Sequence, residues 1–294
     1  MKGVMAFVLA LSMMSSFAQA PVPTGSGPEA ATVYSDPTLP THSIYRPSVL
    51  NGNYPVVLWG NGSCVNDNFH YREFLIEVAS YGFIVIAIGP FDTKPAPRQE
   101  RPENPAEWPP FETSYRQHAD ALDWLESVEV NRDSDLAGHV DLDNVAVMGH
   151  SCGGLQAVKA SSDPRITTTL VLNSGLFPND DQYMIRHEAT REELQHLHAP
   201  IAYFIGGETD IAYVNAEADW LDLQKQDQPA INANMDVGHG ATYQMPGGGP
   251  FAEGPLAWLK FQLKDDPVAA AMFLGEDCGM CSSSAWQLKR HALH

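Results

Sequence analysis

The sequence predicts an α/β fold in which a mostly parallel central sheet carries helices on both faces. Three observations lead there. Short apolar, strand-like runs recur along the chain with helix-forming stretches between them, the pattern of parallel strands joined by covering helices. A Gly-Xaa-Ser-Xaa-Gly turn, Gly149 to Gly153, sits directly between such a run and a helix-forming one. The 294 residues show no internal repeat and no dividing linker, and they suffice for one large core.

Taken in order, Ala31–Ser35 and His42–Arg46 are expected to form an antiparallel pair at the N-terminal side. Tyr54-Pro-Val-Val-Leu-Trp59 reads as a buried strand ending in Gly60-Asn-Gly-Ser. Phe69–Tyr81 has helical spacing in Phe69, Phe74, Leu75 and Val78, with Gly82 as its C-cap. Phe83–Ile88 is the next strand. Residues 90–110 hold seven prolines, which exclude a helix or a central strand, so an irregular rim carrying Phe91 and Trp108 is expected there. Tyr115–Val128 reads as a helix and Asn144–Gly149 as a strand running into the turn. Strands are then expected at Ile166–Asn173, Pro200–Ile205 and Ala230–Asp236, with helices at Ile211–Gln224 and Gly254–Leu263. The tail after Asp265 carries no clear pattern.

The stretch from Asn144 through Ser151 to Leu155 has the context of the nucleophile elbow of an α/β-hydrolase, with strand, tight glycine-framed turn and helix in succession. A serine hydroxyl is a poor nucleophile at neutral pH. It needs a base within hydrogen-bond reach, and the base needs an acid to fix its tautomer. In this fold the order is Ser, then Asp or Glu, then His. Downstream of Ser151, only His239 stands in a glycine-flanked turn after a strand, Gly238-His239-Gly240. His187, His196 and His198 lie in charged stretches or just before Pro200. The acid is expected after the Pro200–Ile205 strand, at Asp210. Asp180 or Asp181, one strand earlier, are the alternatives, with Glu208 and Asp236 behind them. Asp210 also has a competing role as cap of the helix that follows it. Two backbone amides should hold the oxyanion, at Cys152 after the nucleophile and at Asn61 after the Trp59 strand. Cys152 itself is not framed as a nucleophile, because His150 occupies the position where a glycine would be needed. His150 is expected to pack beside the elbow.

Met1 to Ala18 reads as a signal peptide, with Ala20 the alternative end. Its apolar run is too short to span a bilayer. Residues 19–30 read as a mobile leader, and 31–294 as a single domain with the proline-rich rim at 90–110. The chain is therefore expected to be secreted or periplasmic, without membrane insertion. Its formal charge is −19, and losing Lys2 makes it one unit more negative, which excludes nucleic acid and anionic membranes as partners. The four cysteines, Cys64, Cys152, Cys278 and Cys281, are even in number in an exported chain, so disulfides are expected. Three pairings are open. One closes Cys278 locally on Cys281 and leaves Cys64 with Cys152, stapling the oxyanion loop to the elbow. No spacing of Cys and His suits zinc, so no metal and no cofactor are expected.

The segments Pro55–Gly62, Phe74–Phe83, Gly207–Asp210 and Gly238–Gly240, together with the elbow, resemble exported α/β-hydrolases. The neighbourhood is that of dienelactone-hydrolase-like, chlorophyllase-like and bacterial cutinase or polyester-hydrolase families. The resemblance implies a triad of Ser151, Asp210 and His239, an oxyanion pair of Asn61 and Cys152, and an acyl pocket near Ile211 or Ala212. It also departs from them. The polyester enzymes carry an aromatic residue where Asn61 stands and methionine where Cys152 stands, so their aromatic clamp is absent here unless Trp59 and Phe177 rebuild it. The dienelactone enzymes use cysteine where this chain has Ser151. The expected activity is hydrolysis of small neutral, aromatic or polyester-type carboxylic esters, with Trp59, Phe177, Ile211, Tyr213 and Tyr243 contacting the substrate. An amidase or peptidase, or a binding protein on the same scaffold, are the alternatives. Nothing in the sequence sets the oligomeric state.

Overall fold

The structure, a computed structural model, describes residues 24–91, 94–95, 104, 110–178 and 189–293. The signal segment, most of the proline-rich rim with Trp108, and His187, Asp180 and Asp181 lie outside the described residues.

Among the described residues nine strands form one sheet: β1 (Ala31–Tyr34), β2 (His42–Pro47), β3 (Tyr54–Gly60), β4 (Ile84–Ile88), β5 (Val140–His150), β6 (Thr168–Leu172), β7 (Ile201–Ile205), β8 (Ala230–Asn234) and β9 (Gln287–His291). Their spatial order is β1-β2-β4-β3-β5-β6-β7-β8-β9. The stretch from β4 to β8 is parallel throughout, while β1, β2 and β9 pair antiparallel at the two sides. Parallel neighbours require crossovers, and α1 (Arg72–Ser80), α2 (Arg116–Glu129), α3 (Cys152–Ala160) and α4 (Tyr213–Leu223) lie in four of them, while α5 (Glu253–Lys264) and the short α6 (Pro267–Ala270) lie between β8 and the antiparallel β9.

Alternation along each strand sorts the core into layers. In β3, Val57 and Trp59 join Phe74, Leu75, Trp258 and Leu259 beneath α1 and α5. Val56 and Leu58 face the other way, toward Leu122 and Leu125 of α2. In β7, Ala202 and Phe204 enter the first layer, whereas Tyr203 and Ile205 pack with Trp220 and Leu223 of α4. Both faces of the sheet are covered, so its central strands are buried along their length.

Three expectations need correction. Strand β5 begins at Val140, earlier than read, and its register on β3 shifts between Pro55 and Val56, so a bulge absorbs Leu142–Asn144. The tail, which showed no pattern, supplies α6 and the edge strand β9. Residues 24–30 are anchored on α1 and do not form a free leader. There, Ser26 donates through N–H and Oγ to the Glu77 carboxylate, Gly27 N–H donates to Ser80 Oγ, and Glu29 N–H donates to the Ser80 carbonyl.

Candidate active site

The turn from β5 into α3 is sharp because glycine permits two close backbone approaches. A Cβ on Gly153 would collide with the backbone of Gly60, and one on Gly149 with the carbonyl of Gly153. Ser151 stands between them at φ 52°, ψ −118°. A non-glycine residue there carries strain of about 1–3 kcal/mol, which the surroundings must hold. They do so through Ser151 N–H donating to the Leu172 carbonyl (2.9 Å) and Ser174 Oγ donating to the Ser151 carbonyl (2.7 Å).

His239 lies on the loop after β8, reached through Gly238 at φ 71°. Its Nε2 is 3.0 Å from Ser151 Oγ, and its Nδ1 is 2.6 Å from Asp210 Oδ1. Asp210 is 3 % exposed, on the loop after β7. Oδ1 also accepts from Ala212 N–H (2.9 Å), and Oδ2 accepts from Gly206 N–H (3.0 Å) and Asn173 Nδ2 (2.8 Å). Burial pushes the Asp210 carboxyl upward, but hydrogen bonds from His239, Ala212, Asn173 and Gly206 outweigh it and bring its pKa to about 2. An ionised carboxylate only accepts, so Nδ1 carries the imidazole proton and Nε2 is free to accept from Ser151 Oγ–H. The cap expected of Asp210 needs correction: Ala212 holds the N-cap position of α4 without a side-chain cap, and the Ala212 N–H bond to Asp210 closes the turn just before the helix.

Asn61 is fully buried, and its side chain is committed to β3, its own loop and the end of β4. Oδ1 accepts from Trp59 Nε1 (2.9 Å), while Nδ2 donates to the carbonyls of Val65 (3.0 Å) and Ile88 (2.8 Å). The neighbouring Gly62 N–H donates to Tyr71 Oη (3.0 Å). Cys152, the first residue of α3, presents its backbone at a helix N-terminus, the positive end of the helix dipole. Cys64 and Cys152 are disulfide-bonded with Cα atoms 5.3 Å apart, joining the loop after β3 to the elbow. Cys278 and Cys281 form the second bridge.

The expected substrate contacts divide. Ile211 is 79 % exposed beside Asp210, and Tyr213 and Phe177 are half-buried. Trp59 and Tyr243 need correction, since both are core side chains packed on one another and on Phe74. An aromatic at a strand end, as Trp59, or on a loop, as Tyr243, can face either core or cleft, and here the first layer takes both. Glu208 and Asp236 are exposed.

Sequence reasoning also missed Asn173. It follows β6 at φ 46°, a conformation asparagine adopts more readily than most residues. Its Nδ2 donates to Asp210 and to the Gly238 carbonyl (3.2 Å), and its Oδ1 accepts from Tyr243 Oη (2.5 Å). An asparagine closing a strand was the available signal. Among the described residues no group of three or more His, Cys, Asp or Glu could hold a metal ion, and no helix is long and apolar enough to cross a membrane.

Residues 29–163 match the chlorophyllase family model. With the parallel sheet and the elbow, this decides the class. The chain has the α/β-hydrolase fold, and over residues 29–163 it is similar to the chlorophyllase family. The matched family acts on esters, and the match runs from just before β1 to just past α3, so it includes Ser151, Cys64 and Cys152. Asp210 and His239 fall outside the matched stretch. No curated protein matches the chain.

Proposed function

We propose that the hydrolase is an exported serine carboxylic-ester hydrolase acting through a covalent acyl-enzyme. The observation that carries the reading is the hydrogen-bonded run from Ser151 Oγ through the His239 ring to buried Asp210. Ser151 Oγ attacks the ester carbonyl carbon while its proton passes to His239 Nε2. The carbonyl oxygen becomes an oxyanion held by the Asn61 and Cys152 amides, each worth about 3 kcal/mol in such sites. Collapse expels the alcohol, which takes its proton from His239. Water then enters by the same route, and the acid leaves as Ser151 is restored. Throughout, ionised Asp210 fixes the His239 tautomer and stabilises the imidazolium. These steps need neither metal nor organic cofactor.

The substrate in this reading is a small neutral, aromatic or polyester-type ester. Ile211, Tyr213 and Phe177 offer apolar contact beside the acid loop, and the charge of −19 disfavours polyanions. The N-terminal apolar segment and the two disulfides support export to an oxidising compartment. The test is hydrolysis of a p-nitrophenyl ester series, acetate to decanoate, by wild type and Ser151→Ala, with fluorophosphonate labelling in parallel. Turnover and labelling that vanish in the variant support the reading. A folded wild type that neither turns over nor labels would overturn it.

A further inference from the structure

The residue inside the elbow motif that the acyl-transfer steps leave unused is His150. It is 8 % exposed and sits between two loops that approach the site from different strands. Its Nε2 is 2.8 Å from the His239 carbonyl, and its Nδ1 is 2.8 Å from Tyr71 Oη. Tyr71 Oη in turn receives the Gly62 N–H from the loop after β3.

The direction of this chain is fixed by its ends. An amide N–H can only donate and a carbonyl can only accept. Tyr71 Oη accepts from Gly62, so its own proton is free for His150 Nδ1. His150 is then the tautomer with its proton on Nε2, donated to His239. Burial drives the His150 pKa down to about 4, so the neutral ring persists at working pH. The parts also fit sterically. A Cβ on Gly62 would come within 2.5 Å of both His150 Nδ1 and Tyr71 Oη, so only glycine brings the amide this near. The His150 and His239 rings are 5.0 Å apart at their centroids.

Resting on the reading of Ser151 as nucleophile and His239 as base, we propose that His150 and Tyr71 are positioning residues for that reaction. They set the loop of the general base and the oxyanion loop in register through one relay, Gly62 to Tyr71 to His150 to His239. The two loops leave different strands, β3 and β8, and the elbow between them is the natural reference point for both. Misplacement of about 1 Å at such a site costs on the order of 100-fold in rate.

The experiment uses Tyr71→Phe, His150→Gln, His150→Asn and the Tyr71→Phe/His150→Gln double variant of the full chain. Phenylalanine keeps the ring and removes the hydroxyl. Glutamine keeps a donor near the Nε2 position, and asparagine keeps an acceptor near Nδ1. We expect kcat on a p-nitrophenyl ester to fall about 10- to 100-fold in each single variant. KM should stay within about threefold and the melting temperature within a few degrees, because the lost contacts orient loops and do not bind substrate. The double variant should lose little more than the worse single one, since both cut the same relay. Single variants with kcat within threefold of wild type would overturn the proposal. So would fully multiplicative losses in the double variant, or losses that track KM and melting temperature alone. Wild type that fails to label with fluorophosphonate would instead bring down the reading of Ser151 on which the relay rests. A labelled wild type with unaffected Tyr71→Phe and His150 variants would bring down the relay alone.

Discussion

Asp210→Asn tests the proposed acid most directly, because the structure dictates how the amide must sit. Both carboxylate oxygens are surrounded by donors, with His239 Nδ1 and Ala212 N–H at Oδ1 and Gly206 N–H and Asn173 Nδ2 at Oδ2. An asparagine NH₂ at the Oδ2 position would face two donors, neither of which can become an acceptor in place. At the Oδ1 position it opposes only the Ala212 N–H, since His239 can move its proton to Nε2 and accept at Nδ1. One stranded buried donor costs about 1–3 kcal/mol, so this second orientation is favoured. It leaves His239 with Nε2–H pointing at Ser151 Oγ, unable to take the serine proton. The expected loss is therefore that of a wrong tautomer, about 10⁴ in kcat, together with about 1–3 kcal/mol of stability. Steady-state kinetics on a p-nitrophenyl ester, normalised by the protein concentration of folded sample, and a denaturant titration would measure the two effects. A variant within tenfold of wild type would refute the reasoning and pass the acid role to Asp180 or Asp181.

Three further outcomes are expected. Ser151→Gly and Ser151→Ala should both be inactive, but glycine should be the more stable by about 1 kcal/mol, because relief of positive-φ strain (about 1–3 kcal/mol) exceeds its entropic penalty (about 0.5–1 kcal/mol); the reverse order in denaturant midpoints would contradict the strained elbow. Reducing the Cys64–Cys152 bridge should lower activity and stability. Its span of 88 residues corresponds to about 4–5 kcal/mol of chain entropy, usually realised as 2–4; peptide mapping that finds both thiols free would remove the staple. His42, His118 and His150 are held by burial at about 4, 3 and 4 against an ordinary 6.5. Their depressed values mean that the unfolded chain binds more protons, so stability is full above about pH 6.5 and falls as pH drops toward 4. Each histidine contributes about 1.4 kcal/mol per pH unit in that window. His118→Gln should flatten the slope by one proton, and an unchanged slope would show that His118 does not contribute.

How far the site is legible in one dimension depends on the range of the constraint. The elbow is readable because strand, glycine frame and helix are neighbours in sequence, and Gly238-His239-Gly240 is readable for the same reason. Strand β9 was not, because Gln287-Leu-Lys-Arg-His291 is an edge strand with mostly exposed or half-exposed side chains and shows no apolar pattern. Asn173 and Tyr71 escaped because a buried polar side chain is defined by its partners, and those lie 37 residues away for Asp210 and 79 for His150. Trp59 and Tyr243 look alike to a sequence reader whether they line a cleft or fill a core.

The sequence by itself therefore determined the α/β class, most of the strand and helix order, and the backbone turns at which Ser151, Asp210 and His239 stand. Those depend on periodicity, glycine and loop chemistry within a few residues. Only the tertiary structure selected one cysteine pairing from three and put four donors around Asp210. It also sent Trp59 and Tyr243 into the core and ran a hydrogen-bond relay from Gly62 to His239. Each of these is a meeting between segments far apart in the chain. Such meetings are decided by sheet order, register and the packing of covering helices, which no local pattern of residues specifies.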